Sequence, residues 1–396
     1  NPAGLQFWYE RLGIGLRLAP SGGIWLHAVS VGESLTAIPL IKALQLRYPA
    51  IPIVVTNETI NGAERIRVGL GNSVTRLYFP YDLPLILKKF FNKLRPRLLI
   101  LLETELWPNL LATCHLYQVP VILINGRLSE RSARASRRIL PVTQRMLKSI
   151  NLLAAQFQAD ADRFMALGLP KDRIHVTGNL KFDLKLPPQL STEAKKLRAH
   201  WGKDRLVWIA ASTHPGEEEL IAEAFSQVQS CLANVLLVSV PRHVERAAQL
   251  EYLYRSQGLE VIKRSQQKPC TSTTDVFIGD TMGELLSFYA AADLAFVGGS
   301  LVEKGGQNPL EPAAVGLAIL TGPYTFNFES ITEQLKQRGI EIQVNNAQEL
   351  AKQVVFLLSN PAKRQQMGMD AKKFVQENKG VVLKQMQLIE NFINLS

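Results

Sequence analysis

Ile24-Trp-Leu-His-Ala-Val-Ser-Val-Gly-Glu-Ser34 joins an apolar run, a turn of small residues and the opening of a helix. Ile24–Ala28 reads as a buried strand, because it is nearly continuous in apolar side chains. Ser30, Gly32 and Ser34 permit a tight turn, and Glu33 falls in the first turn of the helix that follows. The same phrase recurs on both sides of this stretch. Further strands are expected at Ile51–Thr56, Leu98–Leu102, Val121–Ile124 and Leu152–Ala155, and then at Val207–Ala211, Val235–Val240, Val276–Ile278, Leu294–Val297 and Ala318–Leu320. Apolar strands alternating with amphipathic helices are the pattern of α/β proteins with parallel sheets covered on both faces. Leu184-Lys-Leu-Pro-Pro-Gln-Leu-Ser191 breaks the pattern with two prolines and is the expected linker, dividing residues 1–184 from 185–396. The expected architecture is two doubly wound domains in tandem, with ligands bound in a cleft at the carboxyl ends of the strands. The informative residues should therefore follow strands.

Composition narrows the chemistry. The chain has 396 residues, 46% hydrophobic and 20% charged, so two cores can be buried and wholesale disorder is excluded. Its three cysteines, Cys114, Cys231 and Cys270, lie far apart with no CxxC, which excludes a disulfide framework and a thiolate zinc site. The histidines form no HExxH or close pair, so a histidine metal site is not expected. No apolar run reaches the roughly 20 residues needed to span a bilayer. The first residue is Asn1 rather than methionine, which suggests a trimmed N-terminus that has lost any membrane anchor. The net charge of +11 is one-sided: residues 1–184 carry 23 Lys+Arg against 12 Asp+Glu, and the remainder carry 22 against 22. The first half is therefore built to meet an anionic partner.

Three features of that half carry chemistry. Glu33 has two readings, a helix-dipole partner and a general base at the mouth of the cleft. Leu101-Leu-Glu-Thr-Glu-Leu-Trp-Pro108 places Glu103 and Glu105 after an apolar strand, where they either bind a substrate or cap the next helix. Paired carboxylates of a hydrolase look the same locally. Arg127, Arg131, Arg134 and Arg138 recur at steps of four, three and four, which puts them on one helical face suited to phosphate or an anionic membrane. No aromatic residue interleaves them, so nucleic acid is disfavoured. Asp160 and Asp162 resemble a metal-binding pair but lie two apart in a helical pattern, so they point apart.

In the second half, Ala210-Ala-Ser-Thr-His-Pro-Gly-Glu-Glu-Glu219 follows a strand, and Ser212 or Thr213 is expected to cap a helix holding Pro215 and three glutamates. A phosphate cradle at that helix start is the functional alternative. Arg242, in Pro241-Arg-His243, is placed at a strand end to pair with phosphate. Met282, in Gly279-Asp-Thr-Met-Gly-Glu284, is placed to pack on a base. Gly298-Gly-Ser300 and Gly305-Gly-Gln-Asn-Pro-Leu-Glu-Pro312 are expected to leave backbone amides open for phosphate, with Glu311 on ribose hydroxyls. Asn308, Pro309 and Glu311 also read as a capping box. Neither a Walker A motif nor GxGxxG is present.

Taken in order, HAVSVGE (27–33), YFPYDLP (78–84), ETELWPNL (103–110), NGRLSERS (125–132), GNLKFD (178–183), STHPGEE (212–218), PRH (241–243), GDTMGE (279–284) and GGQNPLEP (305–312) resemble the Kdo (3-deoxy-D-manno-octulosonic acid) transferases of lipopolysaccharide synthesis. The resemblance implies a GT-B fold of two Rossmann-like domains facing a cleft, with a final helix crossing back to the first. It implies inverting, metal-independent transfer of Kdo from CMP-Kdo to a lipid A precursor at the cytoplasmic face of the bacterial inner membrane. Carried over by position, Glu33 matches the family's proposed base and Glu105 an active-site carboxylate. Arg242, Met282, Asn308 and Glu311 match nucleotide-binding positions, and Ser212 and Thr213 lie near the donor. The basic half would handle the bisphosphorylated lipid and the membrane. Two departures stand out: Thr56-Asn-Glu-Thr-Ile-Asn-Gly62 replaces a threonine-rich loop, and Gln307 stands where histidine is common. The rival readings are another GT-B nucleotide-sugar transferase or epimerase, and a non-catalytic protein whose arginine face docks on acidic lipid.

Overall fold

The computed structural model describes residues 2–16 and 19–393. The ten expected strands all form; the first stops at His27 rather than Ala28, the second starts at Ile53 rather than Ile51, and several others run one or two residues longer at an end. They belong to two parallel sheets of seven strands each. The first contains β1 (Ile24–His27), β2 (Ile53–Asn57), β3 (Thr75–Tyr78), β4 (Leu98–Leu102), β5 (Val121–Gly126), β6 (Leu152–Ala155) and β7 (Ile174–Val176), in the order β3-β2-β1-β4-β5-β6-β7. The second contains β8 (Leu206–Thr213), β9 (Val235–Pro241), β10 (Val261–Lys263), β11 (Val276–Ile278), β12 (Leu294–Val297), β13 (Ala318–Thr321) and β14 (Glu341–Gln343), in the order β10-β11-β9-β8-β12-β13-β14.

Four strands were not expected from the sequence: β3, β7, β10 and β14. They are the four sheet edges. An edge strand is covered on fewer sides, so Thr75-Arg-Leu-Tyr78 and Ile174-His-Val176 carry polar side chains and lack the apolar run that marks an inner strand. The inner strands are buried along their length except at Leu206 and Ser212 of β8, which are partly exposed, and their side chains merge with helix faces on either side. Trp25 illustrates the packing: its ring meets Phe79, Phe90 and Phe91, while its indole N–H donates to Thr56 Oγ1 at 2.9 Å.

Each sheet reverses its winding direction once. In the first, β1 and β4 are neighbours and the chain runs outward from them in both directions; in the second, β8 and β12 play this part. A crevice opens at the carboxyl ends of such strand pairs, so the loops after β1, β4, β8 and β12 are where ligands belong. Those loops carry Glu33, Glu103 and Glu105, Ser212 to Glu217, and Gly298 to Ser300.

The chain resolves into two compact units, Asn1–Asp183 with Asn378–Ser396, and Leu184–Glu377. The helix Val381–Ile393 therefore belongs to the first unit. Its Gln385 donates to Thr177 at 3.2 Å, its Glu390 pairs with Arg47 at 2.9 Å, and Gly380 just ahead of it donates to Asp183 at 2.6 Å.

Candidate active site

In the first unit, Ser30 caps the helix Val31–Arg47 and forms a reciprocal capping box with Glu33. Glu33 Oε1 accepts from the Ser30 hydroxyl at 2.8 Å and Oε2 from the Val29 amide at 2.9 Å. The capping reading of Glu33 is thus realised. The carboxylate is nevertheless only 7% exposed, and burial raises its pKa above the ordinary carboxylate value against the pull of these hydrogen bonds. A capped, desolvated carboxylate at the turning point of a sheet has the attributes of a general base.

Glu103 and Glu105 enter from the neighbouring strand. Glu103 follows β4 with a left-handed φ of 55°, its amide donating to Ile124 O at 3.0 Å. Glu105 accepts from the Trp107 indole at 3.0 Å, and burial together with the Glu33 charge pushes its pKa up to about 7. Lys181, on the turn Leu180–Phe182, adds a cation whose charge interacts with those of Glu103 and Glu33, and burial lowers its pKa.

The arginine row needs correcting. Ser129 caps the helix Glu130–Arg138, so Arg127 precedes the helix and leaves the row. Its charge faces Lys181 and Asp160 instead. Arg131, Arg134 and Arg138 do share an exposed face opposite the buried Ala133, with Glu130 pairing to Arg134 at 3.9 Å. Asp160 and Asp162 diverge, the first accepting from the Leu128 amide at 2.9 Å and the second from Gln158 at 2.8 Å.

In the second unit, Ser212 and Thr213 do not cap a helix. They end β8, where Ser212 takes a φ of 57° at a register shift between Ala211 and Thr213. Gly216, at a φ of 87°, delays the helix to Glu218–Cys231, leaving Pro215 ahead of it. Thr213 donates to Glu218 at 3.1 Å, and Glu218 is ion-paired with Arg246. Arg242 follows β9 with its side chain exposed and its amide donating to Thr213 O at 3.0 Å.

The glycine loops are also not left open. Glu217, fully buried, accepts from the amides of Gly299 at 2.7 Å and His214 at 3.2 Å on one oxygen, and from Ser300 at 3.0 Å and Leu301 at 2.9 Å on the other. The amides of Gly306 and Gln307 bond back to Gly299 O and Gly298 O. The chain's own carboxylate fills the nest expected to hold phosphate. Asn308 accepts from the Leu310 amide at 3.1 Å, but the short helix Leu310–Val315 starts one residue later than the expected capping box requires, with Pro309 rather than Asn308 at its N-cap. Burial raises the Glu311 pKa, which Asn308, 3.4 Å away, and the Arg242 charge counteract. Gln307, one of the departures, meets His214 at 3.2 Å. Ser212, Thr213, Arg242, Asn308 and Glu311 thus gather at the ends of β8, β9 and β12. Met282 stands on the turn after β11 at 75% exposure, and no contact among the described residues ties it to that group.

The family model described as 3-deoxy-D-manno-octulosonic-acid transferase (kdotransferase) matches residues 6–184, and that for glycosyl transferases group 1 matches residues 258–374. A 3-deoxy-D-manno-octulosonic acid transferase of Haemophilus influenzae is 40% identical over 375 residues, covering 94% of this chain and 88% of its own. The chain belongs to the Kdo transferase family. A Kdo transferase of Bordetella pertussis is 33% identical over 383 residues, covering 93% of this chain and 87% of its own. The crystal structure of Anabaena HepE in complex with UDP shares the fold, with a TM-score of 0.60 at 14% identity over 94% of this chain and 100% of its own. This Kdo transferase family member is accordingly a GT-B-type glycosyltransferase of two Rossmann-like domains.

Three polar residues gained meaning only from the fold. His27 is buried, its ring stacked 3.8 Å from that of Phe79 and its Nδ1 bonded to Thr56, and burial lowers its pKa to about 3. Lys181 lies in the GNLKFD motif and Glu217 in STHPGEE, so motif position was the available signal; charge pairing across 78 residues or more was not.

Proposed function

We propose that this enzyme transfers Kdo from CMP-Kdo to a hydroxyl of a lipid A precursor, with inversion, at the cytoplasmic face of the bacterial inner membrane. The observation that carries the reading is the position of Glu33: a buried carboxylate of raised pKa in the loop after β1, facing the Glu105 carboxylate after β4. Glu33 takes the proton of the acceptor hydroxyl as its oxygen bonds to the anomeric carbon of Kdo. The bond from that carbon to the CMP phosphate breaks on the opposite face. Arg242 neutralises the leaving phosphate, and no metal or cofactor is required by the scheme. Asn308 and Glu311 hold the nucleoside, Glu311 accepting from ribose hydroxyls, with Ser212, Thr213 and Met282 beside the donor. Arg131, Arg134 and Arg138 receive acceptor phosphates and the anionic membrane surface, while Arg127 serves the Glu33 cluster. No helix among the described residues is long and apolar enough to cross a membrane.

Incubation with CMP-Kdo and a tetraacylated lipid A precursor tests this reading, with lipid masses recorded. The expected result is a gain of one or more Kdo residues with release of CMP. Glu33→Gln keeps the capping acceptor and should fold, yet transfer about 10²–10⁴-fold more slowly. Near-normal turnover by Glu33→Gln would reject the base assignment. Absence of both transfer and CMP binding would reject the function.

A further inference from the structure

Two linked side-chain amides, Gln156 and Asn179, run from the main-chain carbonyl of Asn125 to the Lys181 amide, and the Asn125 side chain holds the neighbouring Leu180 amide. Asn125 ends β5 at a φ of 51°, and its Oδ1 accepts from the Leu180 amide at 2.9 Å. Gln156, just after β6, donates to Asn125 O at 2.9 Å. Asn179 donates to Gln156 Oε1 at 2.8 Å, and its own Oδ1 accepts from the Lys181 amide at 3.0 Å. All three side chains are buried. Buried amides of this kind add little net stability over well-packed apolar groups, but when paired they fix one geometry. The geometry fixed here is that of the backbone at Leu180 and Lys181. The turn that holds Asn125 is tied in the other direction to Glu103, through Glu103 N to Ile124 O at 3.0 Å and Arg127 N to Glu103 O at 3.4 Å. One turn therefore sets the register of a cation and a carboxylate that come from distant parts of the chain.

We propose that Asn125, acting with Gln156 and Asn179, is a positioning residue that holds the Lys181 ammonium near Glu103 and Glu33 and so keeps the base ionised. The proposal rests on Glu33 being the base. The charged groups facing Lys181 are Glu103, Arg127 and Glu33; Glu105 faces Glu33, Glu103 and Glu58. A nearby ammonium favours a carboxylate's charged form, so its withdrawal moves the acid limb of the rate profile to higher pH.

The test is the pH profile of kcat/KM for Asn125→Gly, Asn125→Asp, Lys181→Met and the double variant Asn125→Gly/Lys181→Met. Glycine adopts the left-handed backbone at 125 without strain, so the fold is retained. Asn125→Gly is expected to raise the acid limb and lower kcat/KM by about 10- to 10²-fold, as small misplacements do. Asn125→Asp keeps the acceptor for the Leu180 amide and is expected to recover most of that loss. The double variant is expected to be no worse than Lys181→Met alone, because Asn125 acts through the lysine. An unshifted acid limb in folded Asn125→Gly, or losses that add in the double variant, would overturn the proposal. Should Asn125→Gly fail to fold, Asn179→Ala, which withdraws the acceptor of the Lys181 amide, replaces it with the same expectations. Failure of the underlying function is distinguishable, because the wild-type enzyme itself would then transfer no Kdo. Full activity in Glu33→Gln would overturn the proposal together with the base assignment, whereas lost transfer in Glu33→Gln with an unshifted acid limb in Asn125→Gly would overturn the proposal alone.

Discussion

Glu217→Gln changes one atom in kind and almost nothing in shape, yet it should be among the most damaging substitutions in the second domain. Each carboxylate oxygen of Glu217 accepts from two backbone amides, His214 and Gly299 on one side, Ser300 and Leu301 on the other. Glutamine offers one oxygen and one NH₂. Whichever way the amide is turned, two buried N–H donors lose their acceptor and face another donor. An unsatisfied buried donor costs about 1–3 kcal/mol, so two cost about 2–6 kcal/mol. Burying a neutral amide is less costly than burying a carboxylate, which returns part of this and leaves a net loss of about 2–4 kcal/mol. For a domain of this size, each kcal/mol lowers Tm by about 2–4 °C, so a fall of about 4–16 °C is expected. Thermal and urea unfolding of the whole chain, followed by circular dichroism, would measure it. CMP binding should weaken as well, because the loop between β12 and Asn308 hangs from these bonds. A Glu217→Gln variant with wild-type Tm and unfolding midpoint would refute the account of the nest.

Glu105→Gln should abolish an ionisation near pH 7 from the rate profile, since burial and the Glu33 charge place the Glu105 pKa at about 7; an unchanged profile would show that another group titrates there. Glu341, buried beside Thr321 at 2.7 Å, has a pKa pushed up to about 7 by burial. Its folded pKa exceeds the unfolded one, so its contribution to stability is fully present below about pH 4.5 and is lost as pH rises through 7. Glu341→Gln should therefore narrow its Tm gap to wild type, or overtake it, as pH rises from 5 to 9, and a gap independent of pH would contradict this. Replacing Arg131, Arg134 and Arg138 with glutamine should weaken sedimentation with anionic vesicles and flatten its salt dependence, while leaving CMP binding unchanged. Equal vesicle binding by the variant would move the lipid-facing role elsewhere.

What could be read from the chain follows from where information is local. Ten inner strands announce themselves because both faces are covered; β3, β7, β10 and β14 are half-wet edges and resemble loops. Glu33 was legible as a capping residue and as a base; the fold realises the cap and buries the carboxylate, and the base role is the proposal made above. The four-residue recurrence of arginines overreached at Arg127, because the cap at Ser129 decides where a helical face begins. Glycines between Gly298 and Gly306 promised free amides, and only the fold reveals Glu217 already seated on them. Likewise Asn125, Gln156 and Asn179 read as ordinary loop polar residues, since a ladder across separate strands has no sequence period.

The hydrogen bond from Gly380 to Asp183 spans 197 residues and brings the exit of the second unit against its entrance. In chain-topological terms, the second domain is a guest sequence inserted into a host that closes only when its last helix is made. During synthesis the host's core must wait, one helix short, until the whole guest has been made. Closing a loop this long is an entropic burden that the Val381–Ile393 helix offsets by packing. Replacing the guest with a linker of about six residues would lighten it by about 3 kcal/mol from loop-length scaling alone.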